Sequence, residues 1–146
     1  MARNTIRIDL PIQDVFDELL RPENFAEWVV GAKKVRGTSG NWPSEGASFH
    51  HTVGVGPLTI NDTTTIDEMD PPQRLVLHAR ARPMGDARVE LTLVSTTEGA
   101  THVIMVEDVV GGPAKLIPAV INQRLIQVRN RRSLRRLRDM VVRHER

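Results

Sequence analysis

Apolar and polar residues alternate through Thr5-Ile6-Arg7-Ile8-Asp9-Leu10 and stop at Pro11, the two-residue period of a strand with one buried face. The period then changes. Ile12, Val15, Phe16, Leu19 and Leu20 recur at helical spacing between Pro11, suited to a first turn, and Pro22, which closes the element. A second short helix is predicted in "PENFAEWVV", with Phe25, Trp28 and Val29 on one side and Gly31 ending it. From residue 33 onward the chain reads as strands separated by turn chemistry: 34–36, 49–55, 58–69, 75–81, 89–95 and 102–110. Spacings this short favour an antiparallel meander. After "GGPAKLIP" a helix is predicted over 118–143.

The order is thus one strand, two helices, six strands and one long helix, an α+β arrangement written β-α-α-β6-α. A sheet with one apolar face needs cover, and the last helix is the only predicted element long enough to provide it. The sheet should therefore curl round that helix, with a cleft or cavity between them. The helix itself has no simple stripe. Ile117, Ile121, Leu125 and Val128 share one face, whereas Leu134, Leu137 and Val141 lie about half a turn away. Continued backward, the second stripe runs through Asn130, Gln127, Gln123, Val120 and Leu116. Either the helix bends near "RNRR", or its first half turns amides inward and leaves its apolar side to something else.

Composition narrows the chemistry. At 146 residues with 40% hydrophobic and 26% charged, the chain is read as one domain spanning 1–146. It has no cysteine, which excludes disulfides, thiolate catalysis and cysteine-bound zinc or iron–sulfur centres. "MARNTIRIDL" lacks the uninterrupted apolar stretch of a signal peptide, and no run approaches the roughly 20 apolar residues of a membrane span. The expected location is cytoplasmic. Charge is uneven: residues 124–146 carry nine arginines against Asp139 and Glu145, a net +7, while residues 1–123 carry eleven bases and sixteen acids, a net −5. That basic end invites nucleic-acid or anionic-membrane readings, against the plainer one of a solvated helix face. Five aromatics and no tyrosine poorly supply a base-stacking platform, so no specific nucleic acid is expected. "GVGPLT" reads as a hairpin turn, not a phosphate loop, and no "GxSxG" occurs. Neither a metal nor a cofactor is expected, because the histidines lack ligand spacing even if Asp62 is set beside His51.

Four stretches, "IDLPIQDVFDELLRPENFAEWV", "WPSEGASFHHTVGVGPL", "EMDPPQRLVLHARARP" and "VIMVEDVVGG", together with the element order, resemble the polyketide cyclase/dehydrase and lipid-transport family of the START-like (SRPBCC, helix-grip) superfamily. The resemblance covers nearly the whole chain. It implies a seven-stranded curved antiparallel sheet wrapped around the C-terminal helix with an internal apolar cavity, and it carries no universal catalytic set.

Strand phase then selects candidate lining residues. "SFHHTVGVG" places Phe49, His51, Val53 and Val55 on one face, so of the two adjacent histidines His51 is inward and His50 meets solvent. Leu75, Leu77, Ala79 and Ala81 share the inner face of the next-but-one strand, with His78, Arg80 and Arg82 outside. Val89, Leu91 and Leu93 follow. If Met105 faces in, so does Glu107, a carboxylate that then needs His51 or a rim arginine as its partner. The expected binding set also includes Phe25, Trp28, Trp42, Gln123 and Gln127, with both tryptophans as lid contacts and ligand ingress near the short helices and the "TSGNWPSEG" loop. The leading expectation is non-enzymatic binding or transport of a hydrophobic or amphipathic, lipid- or polyketide-like molecule. The enzyme alternative is a polyketide cyclase/dehydratase with His51 and Glu107 as an acid/base pair. A third is interaction through the arginine-rich helix, and a homodimer is left open.

Overall fold

A computed structural model describes residues 1–55, 57–81 and 85–145, the side chains of 53–55, 58 and 81 excepted. Strand β1, Ala2–Ile8, is followed by helix α1, Ile12–Leu19, a 3-10 turn at Pro22–Asn24, and helix α2, Phe25–Trp28. Six strands come next: β2 Ala32–Ser39, β3 Ser48–Val55, β4 Leu58–Asp70, β5 Arg74–Ala81, β6 Gly85–Ser95 and β7 Thr101–Gly111. A second 3-10 turn, Pro113–Leu116, leads into helix α3, Ala119–His144. The predicted order is observed. Strand β2 is longer than residues 34–36, and β6 begins at Gly85, inside the stretch assigned to a turn, because Gly85 pairs with Ala81.

All strands join one antiparallel sheet in the order β1-β7-β6-β5-β4-β3-β2. Register shifts between Ile66 and Glu68 on β4, and at two places along β2, bend the sheet as extra unpaired residues do. The curved sheet grips α3, the helix-grip arrangement. Helix α3 is continuous. It carries no acid in its first turn, and Arg143 and His144 sit in its last turn, where they oppose the negative end of the helix dipole.

The core occupies one end of the grip. Leu75 pairs with Leu91, Leu91 with Met105, and Leu93 with Val103, so these side chains form rungs across the inner face of β5, β6 and β7. Phe16 and Leu19 of α1, together with Leu134, Leu137, Met140 and Val141 of α3, belong to the same buried cluster. Each fully buried leucine contributes about 1.5–3 kcal/mol relative to exposure. Glu18, also buried, accepts hydrogen bonds from Asn24 Nδ2 at 2.7 Å and from His144 Nδ1 at 3.0 Å, tying α1 to the end of α3. On the opposite face of the sheet Val76 is fully covered, and its cross-strand neighbours are Glu68 and Glu90. Arg74 and Arg88 each pair with both carboxylates, so a four-member ion network roofs the valine.

Candidate functional site

Four residues further along the same strands the rungs change character. Phe49, Thr64, Ala79, Ala87 and Val109 lie in register across β3 to β7, with two alanines at the centre. Facing them, α3 presents Asn122, Ile126, Asn130 and Ser133 in place of leucines. Small side chains on one wall and short polar ones on the other leave a cavity of about 630 Å³, within the range of small-molecule sites. Its deep end is formed by Phe25, Trp28, Phe49, Leu77 and Met105, all buried. Its lining becomes exposed at Gly31, Arg80 and Arg129, so the mouth lies between the α2–β2 connection, the β5–β6 end of the sheet and the start of α3. Ser133 shapes that mouth, because its hydroxyl accepts a hydrogen bond from the Val30 amide at 3.0 Å and holds the 29–32 loop to the helix.

The inward placement of His51 follows from strand alternation: it is 6% exposed, whereas His50 on the other face bonds the Ser39 hydroxyl. His51 Nε2 lies 2.9 Å from the Thr64 hydroxyl, while Nδ1 makes no well-formed hydrogen bond within the protein. Burial is the main cause that pushes the His51 imidazole below its ordinary value of 6.5, with Asp62 across the strand pair opposing it. The ring is therefore neutral near pH 7. Trp28, 1% exposed, also lines the cavity, and its Nε1–H has no acceptor in the protein.

Glu107 faces the cavity, as it must if Met105 does. Arg129 Nη2 donates to both of its oxygens at 2.5 Å, and Asn130 Nδ2 donates to Oε1 at 3.2 Å. The rim arginine, not His51, is thus its partner. His51 on β3 and Glu107 on β7 stand on opposite walls, four strand spacings apart, roughly 19 Å measured along the sheet. Neither residue's hydrogen bonds join it to the other, so the acid/base pair expected from phase alone is not assembled.

Of the other expected lining residues, Phe25, Trp28, Phe49, Leu77, Ala79 and Met105 border the cavity, and Val53 has its side chain outside the described residues, as do Val55 and Ala81; Arg82 lies wholly outside them. Four do not border it. Leu91 is one rung too deep and packs fully in the core. Trp42 packs edge-on against the far side of Phe49, and its indole N–H donates to the Leu20 carbonyl at 2.8 Å, which fixes the 40–46 loop to α1 and keeps it away from the mouth. Gln123 borders a small adjoining pocket with Lys115 and Ile117, which shares Glu107, Val109, Asn122 and Ile126 with the main cavity, and Gln127 is exposed. The cause is the packing of β1 against that side of α3, where Asn4 Nδ2 donates to the Gln127 carbonyl at 3.0 Å. The amides turned inward are Asn130, which stands on the predicted stripe, and Asn122, one position before Gln123. Arg129 and Thr64 were not singled out from the sequence, whereas Asn130 stands on the backward-continued stripe, and with Ser133 it continues the Leu134 and Leu137 face at helical spacing.

Among the described residues no group of three or more His, Cys, Asp or Glu could hold a metal ion, and no helix is long and apolar enough to cross a membrane. The fold is shared with solved structures of low identity. A conserved protein from Geobacillus kaustophilus matches with a TM-score of 0.70 at 13% identity, covering 97% of this chain and 94% of its own. The di-domain ARO/CYC StfQ from the steffimycin biosynthetic pathway matches with a TM-score of 0.73 at 17% identity, over 99% of this chain and 46% of that one. Ara h 8.0201 gives 0.72 at 14% identity over 96% and 95%. No curated protein matches the sequence. A family model described as polyketide cyclase / dehydrase and lipid transport matches residues 2–142, and this chain belongs to that family.

Proposed function

We propose that the protein binds a hydrophobic or amphipathic small molecule, lipid- or polyketide-like, in the cavity between sheet and helix, and holds it without covalent chemistry. The observation that carries this reading is a cavity of about 630 Å³ with mostly apolar walls, on which Trp28 Nε1 is a buried N–H with no acceptor in the protein and His51 Nδ1 makes no well-formed hydrogen bond. A buried polar atom left unsatisfied costs about 1–3 kcal/mol. A ligand that supplies the partners recovers that cost. Trp28 can only donate, so the ligand offers an oxygen acceptor there, and its apolar body lies against Phe25, Phe49, Leu77 and Met105. The separation of His51 and Glu107, with both Glu107 oxygens already bonded, favours holding over proton transfer between the two.

Native mass spectrometry of protein purified without added ligand, with organic extraction and identification of whatever is released, tests the proposal. A specific co-purified amphiphile supports it. If the protein is ligand-free, titration with anilinonaphthalene sulfonate should show saturable binding that His51→Ala weakens in the folded protein. Unchanged affinity in that variant counts against a ligand role for His51. Turnover of a polyketide-like substrate, abolished by Glu107→Gln, would replace holding with catalysis.

A further inference from the structure

The outer side of α3 is divided lengthwise. In its first half, and in the turn before it, Leu116, Val120, Ile121, Leu125 and Val128 are all exposed, Leu116 at 86% and Val120 at 80%. In the second half the same outward side carries Arg131, Arg132, Arg135 and Arg136, with Arg124 set among the apolar residues. From residue 119 to 138 the helix has no acid. Arg129, Arg138 and Arg143 pair with Glu107, Asp139 and Glu27, whereas among the described residues the other five helix arginines make no ion pair.

This surface also adjoins the mouth. Ala114, Asn122 and Ile126, which line the cavity, are interleaved along the same segment with Leu116, Val120, Ile121 and Leu125. We propose that the outward face of α3 docks on an anionic phospholipid surface, its exposed aliphatic side chains entering the headgroup boundary and its unpaired arginines lying against lipid phosphates, with the cavity mouth held at the bilayer. Arginine suits both parts of that contact, since its stem follows apolar surface while its guanidinium forks onto phosphate oxygens.

Charge complementarity selects this occupant. The last 23 residues carry a net +7 against −5 for the rest of the chain, a field that points one surface toward anions. A second copy of the chain fits less well, because a two-fold contact centred on the apolar half sets Arg124 against its own counterpart. Nucleic acid would meet the arginines but leave the five aliphatic side chains without a role, and the exposed stretch offers no aromatic ring for stacking. The proposal holds whatever molecule fills the cavity, and its failure would leave the cavity reading untouched.

Flotation of the full chain with phosphatidylcholine vesicles, with and without phosphatidylserine, is the test. The expected result is partition onto phosphatidylserine-containing vesicles that weakens as salt rises and is small on phosphatidylcholine alone. The double variant Leu125→Ser/Val128→Ser keeps the charge, and its partition should fall roughly tenfold or more. Each of Arg131→Gln, Arg132→Gln and Arg135→Gln should lower it about fivefold at low salt. These positions are all exposed, and an unchanged circular dichroism spectrum with an unchanged melting temperature certifies the fold. No partition onto anionic vesicles, equal partition onto both compositions, or indifference to the serine double variant would overturn the proposal. So would a dimer in sedimentation equilibrium, or binding to duplex DNA unaffected by that variant, if vesicle binding were absent.

Discussion

The two ends of the grip are made from the same strands and the same helix, yet one is filled and the other hollow. At the filled end, Leu75, Leu91, Leu93 and Val103 meet Phe16, Leu134, Leu137 and Met140, and little of any of them reaches solvent. At the hollow end the matching positions are Ala79, Ala87 and Val109 on the sheet and Asn122, Asn130 and Ser133 on the helix. A step of four residues along β5 or β6 separates the two. Stability is therefore concentrated at one end, and two of the buried polar atoms that lack well-formed hydrogen bonds, His51 Nδ1 and Trp28 Nε1, belong to the other.

If that division is real, substitutions at the two ends should separate stability from binding. Leu137→Ala at the filled end should lower the unfolding free energy by about 2–5 kcal/mol in urea titrations, with ligand affinity of the folded fraction unchanged. One position near the mouth should behave like the filled end. Gly85 has φ +131, and an added Cβ would clash with the Gly111 carbonyl oxygen, so Gly85→Ala should cost roughly 1–3 kcal/mol in the same measurement. Ala79→Leu should do the reverse: its side chain enters empty space, so stability changes by less than about 1 kcal/mol while binding of anilinonaphthalene sulfonate falls tenfold or more. His51→Ala should weaken ligand binding about five- to tenfold, read by fluorescence titration at neutral pH.

Acid provides the mildest probe. His51 takes its proton at a lower pH in the folded chain than its ordinary 6.5, because burial disfavours the charged ring. Between those two values the unfolded chain binds more protons, so stability falls as pH drops below about 6.5 and is unaffected above it. Burial raises the Glu18 carboxyl, but the hydrogen bonds from His144 and Asn24 outweigh it and hold the group below its ordinary 4.5. Its contribution is present above that value and is lost as pH falls through the lower folded value. Denaturation midpoints should thus begin to decline near pH 6.5 in the parent chain and remain level down to about pH 5 in His51→Ala.

Fold and site differ in how much of each is legible in the sequence. Alternation along Thr5 to Leu10, the helical spacing of Val15, Phe16 and Leu19, and the turn residues between strands specify the element order, since one buried sheet face and one long helix leave few ways to pack. Strand phase also turns His51 inward, because a period of two has no intermediate setting, whereas along β7 it ties Glu107 to the face of Met105 without choosing that face. Helix phase is softer. Reading α3 backward from Leu134 arrives at Asn130, which does face the cavity, and then at Gln127 and Gln123, whereas with β1 packed on that side it is Ile126 and Asn122 that border the cavity. The partnership of Glu107 with Arg129, and the anchoring of Trp42 on the Leu20 carbonyl, depend on contacts between residues 22 positions apart in each case and leave no local trace.

The two tryptophans provide the most direct test of the cavity as the binding site. Trp28 Nε1–H borders the cavity without an acceptor, whereas Trp42 Nε1–H is already bonded to Leu20 and lies outside. A proton–nitrogen correlation spectrum of the labelled protein contains one indole signal from each. On titration with the co-purified amphiphile, or with anilinonaphthalene sulfonate, the Trp28 signal should move downfield as its hydrogen bond forms and saturate with occupancy, while the Trp42 signal stays in place. Saturable binding that leaves the Trp28 signal where it was would put the ligand elsewhere and contradict the account.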